Sequence, residues 1–179
     1  MGALDYLPHY TYEDYVQWEG KWEVIHGIAY AMSPAPMIKH QNISGKIAAE
    51  LNSIFEKCKK CTALLPVDWK IKEDTIVQPD NLVICDKPAS KTYISKAPKI
   101  IFEILSKSTA KKDLHVKYDI YEREGVNYYI IVDPDEELAN VYKLNNGRYM
   151  KVCDATDEKV EFELKECDAT LEFDFSKIW

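Results

Sequence analysis

Residues 99–105 read KIIFEIL, apolar apart from the leading lysine and one interior carboxylate, Glu103. A run of this kind suits a central strand covered on both faces, because a strand with one wet face would alternate polar and apolar residues. YYIIV at 128–132 has the same character. Between the two lies a charged stretch with helical spacing, 110–124, ended by Gly125 at the usual C-terminal place. Buried strands joined through a helix require a sheet with helices packed on it, so the fold class is α/β (α+β). A length of 179 residues, 46% of them hydrophobic and only six of them glycine, is enough to bury such a core.

The rest of the pattern is arranged around that centre. Thr11 to Glu19 reads as a short helix, with Thr11 as N-cap and Asp14 three residues on. Lys21–Ile25 and Ile28–Met32 flank His26-Gly27 as a hairpin, and Ser33-Pro34-Ala35-Pro36 breaks the chain after it. From His40 to Lys57, Ile43, Ile47, Leu51, Ile54 and Phe55 recur at offsets of three and four, the mark of an amphipathic helix. Val67, Trp69 and Ile71 alternate with Asp68, Lys70 and Lys72 as a half-buried strand, and Asn81 to Cys85 forms another after Pro79-Asp80. Past Pro134, a turn at Asn145-Asn146-Gly147 and the runs VEFEL and LEF predict antiparallel strands. With no repeat, low-complexity tract or flexible linker, the expectation is one domain over 1–179, with an N-terminal helix and hairpin (1–36), a core (37–134) and a β-rich C-terminal extension (135–179).

An ionised carboxylate inside an apolar strand is costly unless it is paired or ligates a cation, so Glu103 needs a partner. Asp80 heads the preceding strand, and neighbouring strands can bring two acids to one sheet edge as an oxygen site for Mg2+ or Mn2+. The alternative is a turn aspartate and a structural salt bridge. On the following helix Asp113, Lys117 and Tyr121 stand four residues apart and share a face. A lysine beside a metal site could position a nucleophile and offset charge on a pentavalent phosphate, although a solvated helical Asp/Lys pair has the same spacing.

Charge adds a second pointer. The net charge of −7 excludes a wholly basic nucleic-acid-coating protein. From Lys87 to Lys117, however, eight lysines face only Glu103 and Asp113, a local net of +6 in an otherwise acidic chain. That fits a polyanion lying over the proposed acidic pair, with Lys107, Lys111 and Lys112 as candidate nucleic-acid contacts; a soluble lysine-rich surface is the alternative. The start MGALDYLPHYTYED has neither the basic region nor the apolar core of a signal peptide, and no apolar run is long enough to span a membrane. A cytoplasmic protein is therefore expected. The odd count of five cysteines points to a reducing compartment without disulfides. Cys58 and Cys61 form a lone CxxC whose zinc reading would need a second ligand pair, and Cys85, Cys153 and Cys167 are scattered singly.

Pro79-Asp80, EILSKST (103–109), DLHVKYDIY (113–121) and GVNYYIIVDP (125–134) together resemble the Uma-two restriction endonuclease family of the PD-(D/E)XK nuclease superfamily. WEVIHG (22–27) and MSPAPMIKH (32–40) are similar to its amino-terminal pattern, so the resemblance covers about residues 10 to 144. It implies a restriction-endonuclease-like mixed sheet flanked by helices, with Mg2+ or Mn2+ held by Asp80, Glu103 and the carbonyl of Ile104. The superfamily motif would put lysine two residues after the glutamate, where this chain has Leu105. Lys117 matches the lysine of the family pattern, and Lys107 is its competitor. Glu23, His40 and Gln78 also match family positions or flank the site, as supporting residues, and Asp113 could orient Lys117. The implied activity is metal-dependent hydrolysis of nucleic acid, with DNA as substrate and a homodimer for double-strand cleavage. The rival is a non-catalytic nucleic-acid-binding or protein-interaction module that retains the fold.

Overall fold

Strand β8 (Ile100–Ile104) occupies the KIIFEIL run and is buried at all of its positions. It pairs in parallel with β9 (Tyr128–Asp133) and antiparallel with β6 (Asn81–Ile84). β3 (Thr62–Leu64) continues the sheet beyond β6, and the hairpin of β10 (Leu138–Asn145) and β11 (Arg148–Ala155) continues it beyond β9. The computed structural model describes residues 7–32, 37–106 and 112–179, with the backbone alone over 112–114, and gives this six-stranded mixed sheet the order β11-β10-β9-β8-β6-β3. The first half of the expected β extension therefore lengthens the core sheet. The rest, β12 (Lys159–Phe162) and β13 (Leu171–Asp174), forms a two-stranded sheet of its own.

The chain divides into two compact units drawn from interleaved segments: 1–35, 67–78 and 88–96 in one, and 36–66, 79–87 and 97–179 in the other. The first unit holds α1 (Tyr12–Tyr15) and the strands β1 (Trp22–Ile25), β2 (Ile28–Ala31), β4 (Asp68–Lys72), β5 (Thr75–Val77) and β7 (Tyr93–Ile94), in the order β2-β1-β5-β4-β7. The β1–β2 turn has positive φ at both His26 (52°) and Gly27 (77°), the conformation a two-residue hairpin demands. An added Cβ at Gly27 would come within 2.2 Å of His9 Nδ1, so the exposed His9 ring would have to move aside, and the positive φ disfavours a side chain there in any case. The helix expected over 11–19 contracts to one turn, although Asp14 does accept the Thr11 amide at 2.8 Å.

The six-stranded sheet has two differently used faces. Ile100, Phe102 and Ile104 of β8 and Tyr128, Ile130 and Val132 of β9 point to one side. There they join Ile43, Ile47, Leu51 and Phe55 of α2 (Ile38–Phe55) and the rings of Phe162, Phe173 and Phe175. Phe102 sits 5.1 Å from Phe173, centroid to centroid, within the usual range for packed aromatic pairs. By alternation Ile101, Glu103, Tyr129 and Ile131 face the other side, where Tyr121 packs edge-on to Tyr129 at 5.1 Å. Among the described residues no helix is long and apolar enough to cross a membrane.

The segment before β9 departs from a plain α-helix. Lys112–Lys117 is a π-helix, and α3 (Tyr118–Glu124) follows it directly. Gly125 (φ 85°) ends α3, its amide donating to Glu122 O and that of Val126 to Tyr121 O, a Schellman arrangement. Glu122 anchors the helix to β11: its carboxylate accepts the Tyr149 amide at 2.6 Å and Arg148 Nη1 at 2.9 Å. The backbone bond from Tyr149, helped by Arg148, holds this carboxyl below its ordinary value of 4.5. A depressed carboxyl stabilises the fold above that value and loses the contribution as pH falls through its folded value. Glu122→Gln is therefore expected to lower Tm by about 2–4 °C at neutral pH, with the deficit closing in acid, as read by thermal melts across a pH series. An equal deficit at every pH would show that charge is not what holds this anchor.

Four of the five cysteines are bridged, Cys58 to Cys167 and Cys61 to Cys85, and Cys153 is free. This corrects the expectation of thiols without disulfides. The odd count concealed two pairs that become neighbours only after folding, at sequence separations of 109 and 24.

Candidate active site

Pro79 has no amide to donate to a strand ladder, which suits it to the entry of β6, and Asp80 follows as the last residue before that strand. The β6–β8 register pairs Val83 with Ile100, Leu82 with Ile101 and Asn81 with Phe102. One further step sets Asp80 across from Glu103. Where the backbone ladder stops, the Asp80 side chain continues it, with Oδ2 accepting the Ile104 amide at 2.8 Å. On the other side of β8 the Leu105 amide donates to Val132 O of β9 at 2.8 Å, so the end of the strand is held from both neighbours. His40, in the first turn of α2, brings Nε2 to 3.3 Å from the same Asp80 oxygen. Both side chains keep some solvent access, 18% for His40 and 16% for Asp80.

Glu103 is 2% exposed and draws two donors to one oxygen. Lys117 Nζ reaches Oε1 at 2.9 Å and the Tyr121 hydroxyl reaches it at 2.7 Å. Lys117 is as buried as its partner, so each ion has given up most of its water. Stripping two ions of water costs several kcal/mol apiece, which close contact and additional hydrogen bonds must offset. The phenol supplies such a bond, and Tyr129 of β9 braces its ring. Asp80, at the head of β6, and Glu103, on the neighbouring β8, offer hard carboxylate oxygens, donor chemistry that fits Mg2+ or Mn2+.

Asp80, Glu103, Lys117 and His40 all belong to the second unit, and the contacts above join them in two linked pairs at the head of β6 and the end of β8. Glu23 and Gln78 belong to the first unit. There Glu23 is fully buried and accepts the Gln78 amide at 2.9 Å, while Gln78 Nε2 donates to Asp68 at 3.0 Å. Lys107 and Lys111 lie outside the described residues, and of Lys112 and Asp113 only the backbone is described. Tyr121, placed by the sequence only on the face it shares with Asp113 and Lys117, is a contact of Glu103 to which no site role was given. Its four-residue offset from Lys117 was the available signal, since it puts both side chains within reach of one carboxylate.

A family model described as "Uma2: Putative restriction endonuclease" matches residues 12–167. A solved structure described as a putative nuclease belonging to DUF820 from Anabaena variabilis ATCC 29413 matches at a TM-score of 0.76 and 20% identity, over 94% of this chain and 96% of that one. At that identity the likeness establishes the fold, a restriction-endonuclease-like core. No curated protein matches the chain.

Proposed function

Because the chain belongs to the Uma2 family of restriction endonucleases, we propose that it hydrolyses nucleic-acid phosphodiester bonds, DNA in particular, at a centre built on Asp80, Glu103 and Lys117. The observation that carries this reading is the Asp80–Ile104 amide bond, which ties one acid to the strand that bears the other while an ammonium sits on Glu103. Asp80, Glu103 and the Ile104 carbonyl would hold Mg2+ or Mn2+. Such an ion, when bound, supplies Lewis-acid charge for the phosphate and makes an attacking water more acidic.

The chain's own groups have separable tasks in an in-line attack of water on phosphorus. Lys117 carries a positive charge into a buried setting, where it opposes the charge that builds up on the phosphoryl oxygens far more effectively than it would in water. Glu103, itself held by the Tyr121 hydroxyl, fixes that ammonium, which otherwise has a long and flexible stem. His40, beside Asp80, is suited to orienting a water or exchanging a proton at the exposed side of the pair. Asp113 is a positioning residue for Lys117 in this scheme, and Lys107, Lys111 and Lys112 are phosphate contacts. A homodimer would supply the second centre that cutting both strands needs.

The test is conversion of supercoiled plasmid to nicked and linear forms. Cleavage is expected with Mg2+ or Mn2+ and none with EDTA. Leu105, at the superfamily's lysine position, favours the second reading of a binding module without chemistry. Salt-sensitive DNA binding with no turnover under either ion would decide for that module.

A further inference from the structure

The four bridged cysteines lie at one place in the second unit. Cys58, Cys61 and Cys167 have sulfurs within 4.8 Å of one another, and Cys85 is bonded to Cys61. Cys61 Sγ is also 3.4 Å from Cys167 Sγ, so the two bridges are in contact with each other. Two independent crosslinks have no need to touch, whereas four thiolates around one ion must. A tetrahedral zinc with Zn–S bonds of about 2.3 Å puts its sulfurs about 3.8 Å apart, the scale of this cluster. We propose that Cys58, Cys61, Cys85 and Cys167, when reduced, form a structural tetrathiolate zinc site.

Local structure supports this assignment. Cys58 and Cys61 make a C-x2-C turn just beyond α2, with the Cys61 amide donating to Cys58 O at 3.2 Å, the spacing at which two ligands grip one metal. Cys61 and Cys85 extend the β3–β6 register by one step past the Thr62–Ile84 pair, so they face each other across the sheet edge. Cys167 supplies the fourth ligand from the chain between β12 and β13. Cys58 and Cys61 are 5% and 6% exposed, Cys85 and Cys167 are half-buried, and all four pack against the apolar core, a setting that suits a structural ion. A tetrathiolate zinc centre carries two net negative charges, and Lys57, Lys59 and Lys60 interleave the C-x2-C turn with three exposed cations. The ion would join the end of α2, the β3–β6 edge and the C-terminal segment behind the sheet that carries Glu103.

The two states are related by a balanced exchange. A dithiol reductant gives four electrons and four protons to the two S–S bonds, forming four thiols and two equivalents of oxidised dithiol. Zinc then forms four Zn–S bonds and releases the four thiol protons to solvent. The test uses the full chain, reduced with a dithiol, freed of reductant under anaerobic conditions and reconstituted with zinc alone. Metal analysis is expected to give one zinc per chain in the parent and in Cys153→Ser, and none in Cys85→Ser or Cys167→Ser. Should those variants not fold, cobalt(II) added to the reduced parent reads the same site, with the thiolate charge-transfer and visible bands of tetrahedral sulfur coordination expected. A reduced, folded parent that retains no zinc and gives no such cobalt spectrum would overturn the proposal, leaving the four cysteines as crosslinks only.

Discussion

Asp80→Asn is expected to lower divalent-cation-dependent plasmid cleavage by about a thousandfold, equivalent to about 4 kcal/mol at the transition state, with Tm little changed. Asparagine keeps the shape of the side chain and can still accept the Ile104 amide, so the end of β8 stays tied. What it removes is the negative charge that would hold the cation. Because Asp80 is partly exposed, losing that charge strands no buried partner. Equal rates for parent and variant would remove Asp80 from the site. Glu103→Gln is also expected to be inactive, but it is a less clean probe because it leaves a buried ammonium behind.

Lys117→Met isolates that second effect. With the ammonium gone, Glu103 is a buried carboxylate with its cation removed, and breaking such a pair is expected to cost about 3–5 kcal/mol in urea denaturation. The double variant Glu103→Gln/Lys117→Met should recover most of that loss. Its neutral amide can still accept the Tyr121 hydroxyl, and methionine fills the lysine stem. Neither form should cleave DNA. Stability that fails to recover in the double variant would mean that the loss comes from the shape of the lysine and not from its charge. Cleavage retained in Lys117→Met would move the catalytic ammonium elsewhere, with Lys107 the first candidate.

The sequence was most legible where one physical demand dominated. KIIFEIL could hardly be anything but a covered strand, and a lone acid within it demanded a partner, which the β6–β8 register and Lys117 supply. His26-Gly27 and Asn146-Gly147 announced their hairpins through the positive φ that such turns require. Legibility failed where contacts depend on folding. The short strands β3, β5 and β7 carry too few residues to show a period, and they exist because longer neighbours pair with them. The π-helical turn before α3 has helical composition and differs only in its hydrogen bonding. Cys85 and Cys167 looked solitary because their nearness to the CxxC is purely spatial.

In the proposed centre Asp80 and Glu103 share one divalent cation with the lysine alongside. Crystals soaked in Mn2+ and measured for anomalous scattering test it most directly. A peak is expected between the two carboxylates, in contact with the Ile104 carbonyl and with Lys117 Nζ close by. A peak elsewhere, with Asp80 and Glu103 holding no metal at saturating Mn2+, would contradict it.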